Sequence, residues 1–255
     1  MAYNEFANIY DELIYEDINY DKVAEKILEI CKDNNIKFED YLDLACGTGN
    51  VAVKVCKEFK NTFAVDLSDD MLNVAFEKFK ANKVKAKVIC QDMCELSLNH
   101  KFDLISCVLD STNYITEDED LYDYFSSVYD HLKEDGLFIF DINSYYKLSE
   151  VLGNNIYTYS SEDIFYTWEN AFENDVLNMF LTFFVKNNEG LYERFEEEHI
   201  ERAYADEYIE QVLNKCKFKL IGKFDGYSND KVHENSERIL YILKKVEVNK
   251  NYTGR

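Results

Sequence analysis

The residues best placed to do chemistry are three acids and two glycines. Asp43, Asp66 and Asp92 each stand at or just past the end of a short apolar run, and Asp43 opens the turn Asp43-Leu44-Ala45-Cys46-Gly47-Thr48-Gly49-Asn50. Glycine in such a turn lets the backbone bend sharply and lets a ligand approach the main chain closely. A helix starting just after the turn offers free N–H groups and a positive dipole end to an anionic group. A carboxylate at the end of the second strand is placed to accept hydrogen bonds from both hydroxyls of a ribose. These features point to a nucleotide-type cofactor and leave its identity open. Gly47-Thr48-Gly49-Asn50-Val51-Ala52 also fits the dinucleotide fingerprint G-x-G-x-x-A, with Asp66 near the position of its ribose-binding acid.

The surrounding elements alternate. Asp21 to Asp33 reads as an amphipathic helix, with Val23, Ile27 and Ile30 near helical spacing. Short strands are expected at Tyr41–Leu44, Thr62–Val65, Lys87–Cys90, Phe102–Leu109 and Leu137–Phe140. Helices are expected over Asn50–Phe59, from an N-cap at Ser68 through Phe79, and over Asp118–Leu132. Strands apolar on both faces and alternating with helices predict a parallel sheet covered on both sides. A ligand then lies outside the carboxyl ends of the strands, so the three acids should border one crevice.

After the fifth strand the pattern changes. Ile164, Tyr166 and Trp168 alternate with other residues, as do Leu177, Met179, Leu181, Phe183 and Val185, and a charged strand from Leu191 to about Arg202 follows. Three antiparallel strands are therefore expected as an insertion. A helix from Asp206 to Cys216 and two strands, Phe218–Ile221 and Arg238–Leu243, complete the core. The expected fold is α/β: a doubly wound, seven-stranded, mostly parallel sheet with a reversed last strand and an antiparallel β insertion after strand five. Residues 1–150 would form an N-terminal cap and the cofactor-binding core, 151–203 the insertion serving as a substrate lid, and 204–255 the completion of the core.

A net charge of −22 repels phosphate backbones and anionic lipid, so neither nucleic acid nor a membrane is expected as a partner. No apolar run reaches the roughly 20 residues of a membrane span, and the first twenty residues lack the basic and apolar regions of a signal peptide. The seven cysteines have no C-x-x-C spacing and sit mostly in apolar runs such as Val88-Ile89-Cys90. They read as reduced, buried small hydrophobes of a cytoplasmic protein, and no metal centre is expected.

The motifs in combination resemble class I S-adenosylmethionine-dependent methyltransferases. Asp43-x-Ala45-x-Gly47-x-Gly49 is similar to their first motif, and Val65-Asp66-Leu67-Ser68 followed by Met71-Leu72 to their second. Cys90-Gln91-Asp92-Met93 resembles the third; Phe102-Asp103-Leu104-Ile105, Leu132-Lys133-Glu134-Asp135-Gly136-Leu137 and the closing pair of strands also match. The likeness runs from about Tyr41 to Val246. It implies that S-adenosyl-L-methionine is the cofactor. Ala45, Gly47 and Gly49 would lie along its methionyl part, and Asp66 would hold the ribose. Asp92 would accept from the adenine amine, and Leu67 and Met93 would pack the adenine faces. Asp43 would brace the loop and help hold the ammonium, and Cys107 to Asp110 would lie near the sulfonium. The stretch Tyr3 to Asp11 resembles the cap of small-molecule methyltransferases, including amino-sugar N-methyltransferases, with Tyr10 as a contact near the methyl group.

The expected activity is methyl transfer to a small-molecule acceptor, an amine among the candidates, by a monomer or homodimer. Substrate-side candidates are Tyr10, Asn113, Tyr114 and His199, together with Asp110. His199 is expected on the surface beside its acidic neighbours, His131 and His233 in solvent, and Trp168 in core packing. Two other classes share these signals: an NAD(P)-dependent oxidoreductase, and an S-adenosylmethionine-binding regulatory protein without catalysis.

Overall fold

Two strands near the middle of the core sheet, at Asp40–Leu44 and Phe102–Cys107, are short and buried along their whole length, and this sets the architecture. In the computed structural model, which describes residues 18–187 and 189–245, the chain forms two sheets. The larger has the order β10-β11-β5-β4-β1-β2-β3. It comprises β1 (Asp40–Leu44), β2 (Asn61–Asp66), β3 (Ala86–Cys90), β4 (Phe102–Cys107), β5 (Leu132–Asn143), β10 (Phe218–Asp225) and β11 (Arg238–Lys245). Strands β1 to β5 pair in parallel, and β11 runs antiparallel to both β5 and β10. This is the expected doubly wound sheet with its reversed last strand.

Alternation along the strands feeds two cores. Leu42, Phe138 and Phe140 face α4 (Asp118–His131) and α5 (Asp206–Lys215), whereas Tyr41, Leu137 and Ile139 face α1 (Tyr20–Asp33). On the α1 side, α2 (Ala52–Val55) and α3 (Asp69–Ala81) pack against Ala64. Full burial of each such Leu, Ile or Phe contributes roughly 1.5–3 kcal/mol. Ser68 caps α3 as expected, its hydroxyl accepting from the Met71 N–H at 3.3 Å.

Several expectations are corrected. The helix expected over Asn50–Phe59 is a single α turn that tightens into a 3₁₀ turn at Cys56–Glu58 before the chain enters β2. Cys90 is exposed, because β3 is the sheet's edge strand and is only half covered. His131 is buried rather than solvated: its Nε2 accepts from the Leu98 N–H at 2.9 Å and its Nδ1 lies 2.7 Å from the Ser127 carbonyl. The imidazole thus serves as a bracket between the end of α4 and the loop after β3.

The insertion is a four-stranded antiparallel sheet, β6 (Ile156–Ser160), β7 (Ile164–Glu173), β8 (Val176–Lys186) and β9 (Tyr192–Arg202). Only three strands were expected. β6 is an exposed edge whose residues Tyr157, Thr158, Tyr159 and Ser160 carry no apolar alternation. Leu148, Leu152, Leu177, Met179 and Ala203 form a small core beneath the sheet.

Asn113, expected as a substrate-side residue, is instead the bolt between the two sheets. It is completely buried. Its side-chain amide donates to the carbonyls of Asn143 (3.1 Å) and Arg202 (2.9 Å), and its Oδ1 accepts from the Asn143 N–H (2.9 Å). Asn113→Ala strands two buried carbonyls and one N–H, so it should lower unfolding free energy by roughly 2–4 kcal/mol. Chemical denaturation checks this; a loss under about 0.5 kcal/mol contradicts the assignment.

Candidate active site

The parallel pairing of β1, β2, β3 and β4 brings their carboxyl ends to one edge of the sheet, and the loops there line a cavity of about 650 Å³. That volume falls within the range of small-molecule sites. Six carboxylates line it, from Asp66, Asp69, Asp70, Asp92, Asp110 and Glu197, and among the described residues no lysine or arginine does.

Asp66 ends β2, and its two oxygens are tied to two loops. Oδ2 accepts from the Gly47 N–H at 2.7 Å and Oδ1 from the Ser68 N–H at 2.9 Å. Burial raises its carboxyl above the ordinary range, against the lowering pull of the Ser68 and Gly47 amides. A carboxylate has about four lone-pair sites, so acceptor capacity remains beyond these backbone bonds. Leu67 is 69% exposed and borders the cavity with Met93. Asp92 accepts from the Cys94 N–H at 2.8 Å, which fixes its carboxylate at the rim.

The two glycines divide their work. Gly47 lines the cavity with φ +52°, and a Cβ added there meets nothing within 4 Å. Gly49 does not reach the lining: with φ +77°, its added Cβ would lie 2.8 Å from the Phe79 ring and 3.3 Å from Ala75. Gly49 therefore allows α3 to pack against the loop. Lys78 of α3 reaches back to the hydroxyl of Thr48 at 3.1 Å and to the side-chain oxygen of Asn50, holding the loop from outside. Ala45 lines the cavity and adopts φ +54°.

Asp43 and Cys107 lie one layer deeper than expected. Asp43 is 2% exposed and accepts from the Ser106 hydroxyl at 2.9 Å. Burial raises its carboxyl to about 7, opposed by that hydrogen bond. The cavity lining does not include it, and its Oδ2 is buried with no hydrogen-bond partner among the described residues. Cys107 is fully buried in the core on the α4 side, because strand alternation turns its thiol away from the crevice. The following residues, Val108 to Ser111, do line the cavity.

The loop after β4 is held by a buried carboxylate that the sequence pattern did not mark. Asp141 of β5 is completely buried and accepts from the N–H groups of Leu109 and Asp110, both at 2.8 Å. Both residues have positive φ, 63° and 59°. Such backbone costs non-glycine residues roughly 1–2 kcal/mol each, and the paired acceptors offset it. The Tyr227 hydroxyl and the Arg238 guanidinium also donate to Asp141, and Arg238 reaches Asp110 at 2.7 Å. Asp110 is therefore at the cavity but already ion-paired.

The second sheet supplies the remaining wall. Tyr114 and His199 both line the cavity, the Tyr114 hydroxyl 3.1 Å from the His199 Nδ1. Burial lowers the His199 pKa, which keeps the imidazole neutral. The expectation of a surface position for His199 is thus corrected: β9 turns Glu197, His199 and Glu201 inward and Glu196, Glu198 and Ile200 outward. Glu197 is the wall residue that sequence reasoning missed. Trp168 packs on the inner face of this sheet beside the core of Leu177 and Met179, in contact with Tyr157. Tyr10 lies outside the described residues.

A family model described as a methyltransferase domain matches residues 42–136, the stretch that builds this crevice. A protein named as a methyltransferase in Geobacillus sp. (strain WCH70) is 33% identical over 96% of this chain and the whole of that protein. The chain belongs to the methyltransferase family. A crystal structure of an S-adenosylmethionine-dependent methyltransferase from Clostridium acetobutylicum is 53% identical, with TM-score 0.90 over 96% of this chain and 99% of that one. Similarity of 30% over 52% of the chain extends to a Streptomyces venezuelae enzyme named as dTDP-3-amino-3,4,6-trideoxy-α-D-glucopyranose N,N-dimethyltransferase, covering 55% of it. This methyltransferase uses S-adenosylmethionine, and the crevice fits that cofactor. It offers a carboxylate with spare lone pairs at Asp66, a glycine open to close approach and an acidic lining suited to a cation. A dinucleotide would bring a pyrophosphate into the same carboxylates. Asp66→Ala should weaken binding of S-adenosylhomocysteine by about 1.5–3 kcal/mol in calorimetry. The circular dichroism spectrum should remain native; unchanged affinity removes Asp66 from the site.

Proposed function

We propose that this methyltransferase transfers the methyl group to the nitrogen of a small-molecule amine. The observation that carries this reading is the second sheet. It places His199 and Glu197 in the same crevice as Asp66 and Gly47. The amino-sugar specificity in the name of the Streptomyces relative supports an amine as acceptor. The acidic lining favours a cationic acceptor over a nucleic acid, whose phosphates need Lys and Arg.

The placement of these residues supports the roles that the family resemblance implies. Asp66 holds the ribose hydroxyls, Asp92 accepts from the adenine amine, and Leu67 and Met93 flank the base. Ala45 and Gly47 let the methionyl part approach the backbone, and Leu109 and Asp110 close the far side. S-adenosylmethionine supplies an electrophilic methyl on a sulfonium. The protein's task is to orient the nucleophile and exclude water. An amine arrives largely as ammonium, so one N–H proton must leave before its lone pair can attack. His199, neutral through burial and oriented by Tyr114, takes that proton. With the methyl supplied in that way, the N–C bond would form as the C–S bond breaks, leaving a neutral sulfide. The insertion, residues 151–203, serves as a lid that selects the acceptor and shields the reaction.

A transfer screen with radiolabelled methyl donor over small amines, alcohols and thiols tests this. Label should appear on amines, and His199→Gln should lower turnover on the order of 10²-fold while leaving cofactor affinity nearly unchanged. Label confined to oxygen acceptors or to macromolecules contradicts it.

A further inference from the structure

The acids that line the crevice differ in one respect. Asp66 and Asp92 accept from backbone N–H groups, and Asp110 is paired with Arg238. Glu197 is only 7% exposed, and its Oε1 has no hydrogen-bond partner among the described residues. Its position is built by the strand. β9 alternates, so Glu197 points inward, directly across from Leu181 of β8, which in turn faces Trp168 of β7. One flank of the carboxylate is therefore apolar and aromatic, and the other is the cavity. Four residues further along, Glu201 is buried too, but Asn143 donates to it at 2.9 Å. Glu197 alone of this pair lines the crevice, and its Oε1 has no partner among the described residues.

A buried carboxylate oxygen without a donor costs free energy, and a protein retains such a group most readily where a ligand supplies the donor. Burial raises the Glu197 carboxyl above its ordinary range, and a cation beside it would restore the charged form. The donor must come from the cavity, carry N–H groups and tolerate an apolar wall.

We propose that Glu197 is the specificity residue for the methyl acceptor. It binds the acceptor as an ammonium. This rests on the proposed transfer to an amine and narrows it. The substrate class is a primary or secondary alkylammonium, and alcohols are rejected because a neutral hydroxyl compensates a buried carboxylate poorly. Glu197 thereby sets which nucleophile reaches the methyl group, whereas Asp66 and its loop hold the cofactor.

Sinefungin tests this without knowledge of the acceptor. It carries a C–NH₃⁺ group where S-adenosylmethionine carries its S–CH₃, and so presents an ammonium at the acceptor side of the cofactor. Calorimetry would compare sinefungin with S-adenosylhomocysteine on the native protein, on Glu197→Gln and on Glu198→Gln, the exposed neighbour that controls for net charge. The native protein should bind sinefungin at least about tenfold more tightly than S-adenosylhomocysteine, a charge-assisted hydrogen bond's worth. Glu197→Gln should bring the ratio to within about threefold with S-adenosylhomocysteine affinity retained, and Glu198→Gln should keep the native ratio. No preference in the native protein, a preference that survives Glu197→Gln, or an equal loss in both variants overturns the proposal while leaving the methyltransferase reading intact. Failure of S-adenosylhomocysteine to bind the native protein contradicts both.

Discussion

The site depends on one carboxylate. Asp66 ends β2, yet it accepts hydrogen bonds from the loop after β1 through Gly47 and from the cap of α3 through Ser68. Two loops that would otherwise be independent are thereby fixed to one rigid strand end. The arrangement requires parallel pairing of β1 and β2, in which Leu44 lies beside Val65, so that both strands finish at the same edge. It also requires Gly49, because a side chain there would push the Phe79 ring and α3 away from the loop. Fold and site are thus one problem: the helix packing that buries Phe79 is what brings Gly47 within reach of Asp66.

A second carboxylate plays the same part at the β4 end. Asp141 anchors Leu109 and Asp110 in backbone conformations they would not adopt alone; Arg238, on the neighbouring strand β11, balances its charge, and the Tyr227 hydroxyl donates to it. Among the described residues, the positive side chains next to the crevice stand behind it rather than in its lining. Lys78 secures the glycine loop, Arg238 secures the β4 loop, and the lining itself is acidic. Such a crevice attracts a sulfonium and an ammonium and disfavours the pyrophosphate of a dinucleotide, although the G-x-G-x-x-A spacing admits one. The discrimination lies in electrostatics that the glycine spacing does not encode.

The core elements were legible because their signals are local. Short apolar runs ending in acids, a Ser cap before an acidic first turn and the final pair of strands all follow from neighbouring residues. The Asp66, Leu67, Asp92 and Met93 quartet could be placed by counting strand ends. What was not legible depends on contacts distant in sequence. Asn113 looks like any polar residue after a strand, and only its bonds to Asn143 and Arg202 show that it is structural. Asp43 and Cys107 lie on opposite faces of the sheet, and both faces are covered at those positions. Glu197 sits in a run of charged residues, Glu196-Glu197-Glu198, that reads as solvated until the alternation of β9 turns the middle one inward. The strand signal was present there; the face it turned to the crevice was fixed only by pairing with β8.

A crystal structure with S-adenosylhomocysteine bound tests the central claim most directly, because it shows whether one carboxylate serves both fold and ligand. The account predicts the ribose hydroxyls on the free lone pairs of Asp66, with the Gly47 and Ser68 N–H bonds retained and the adenine between Leu67 and Met93. Ribose hydroxyls held elsewhere, or an Asp66 side chain that abandons both loops to reach the ligand, would contradict it.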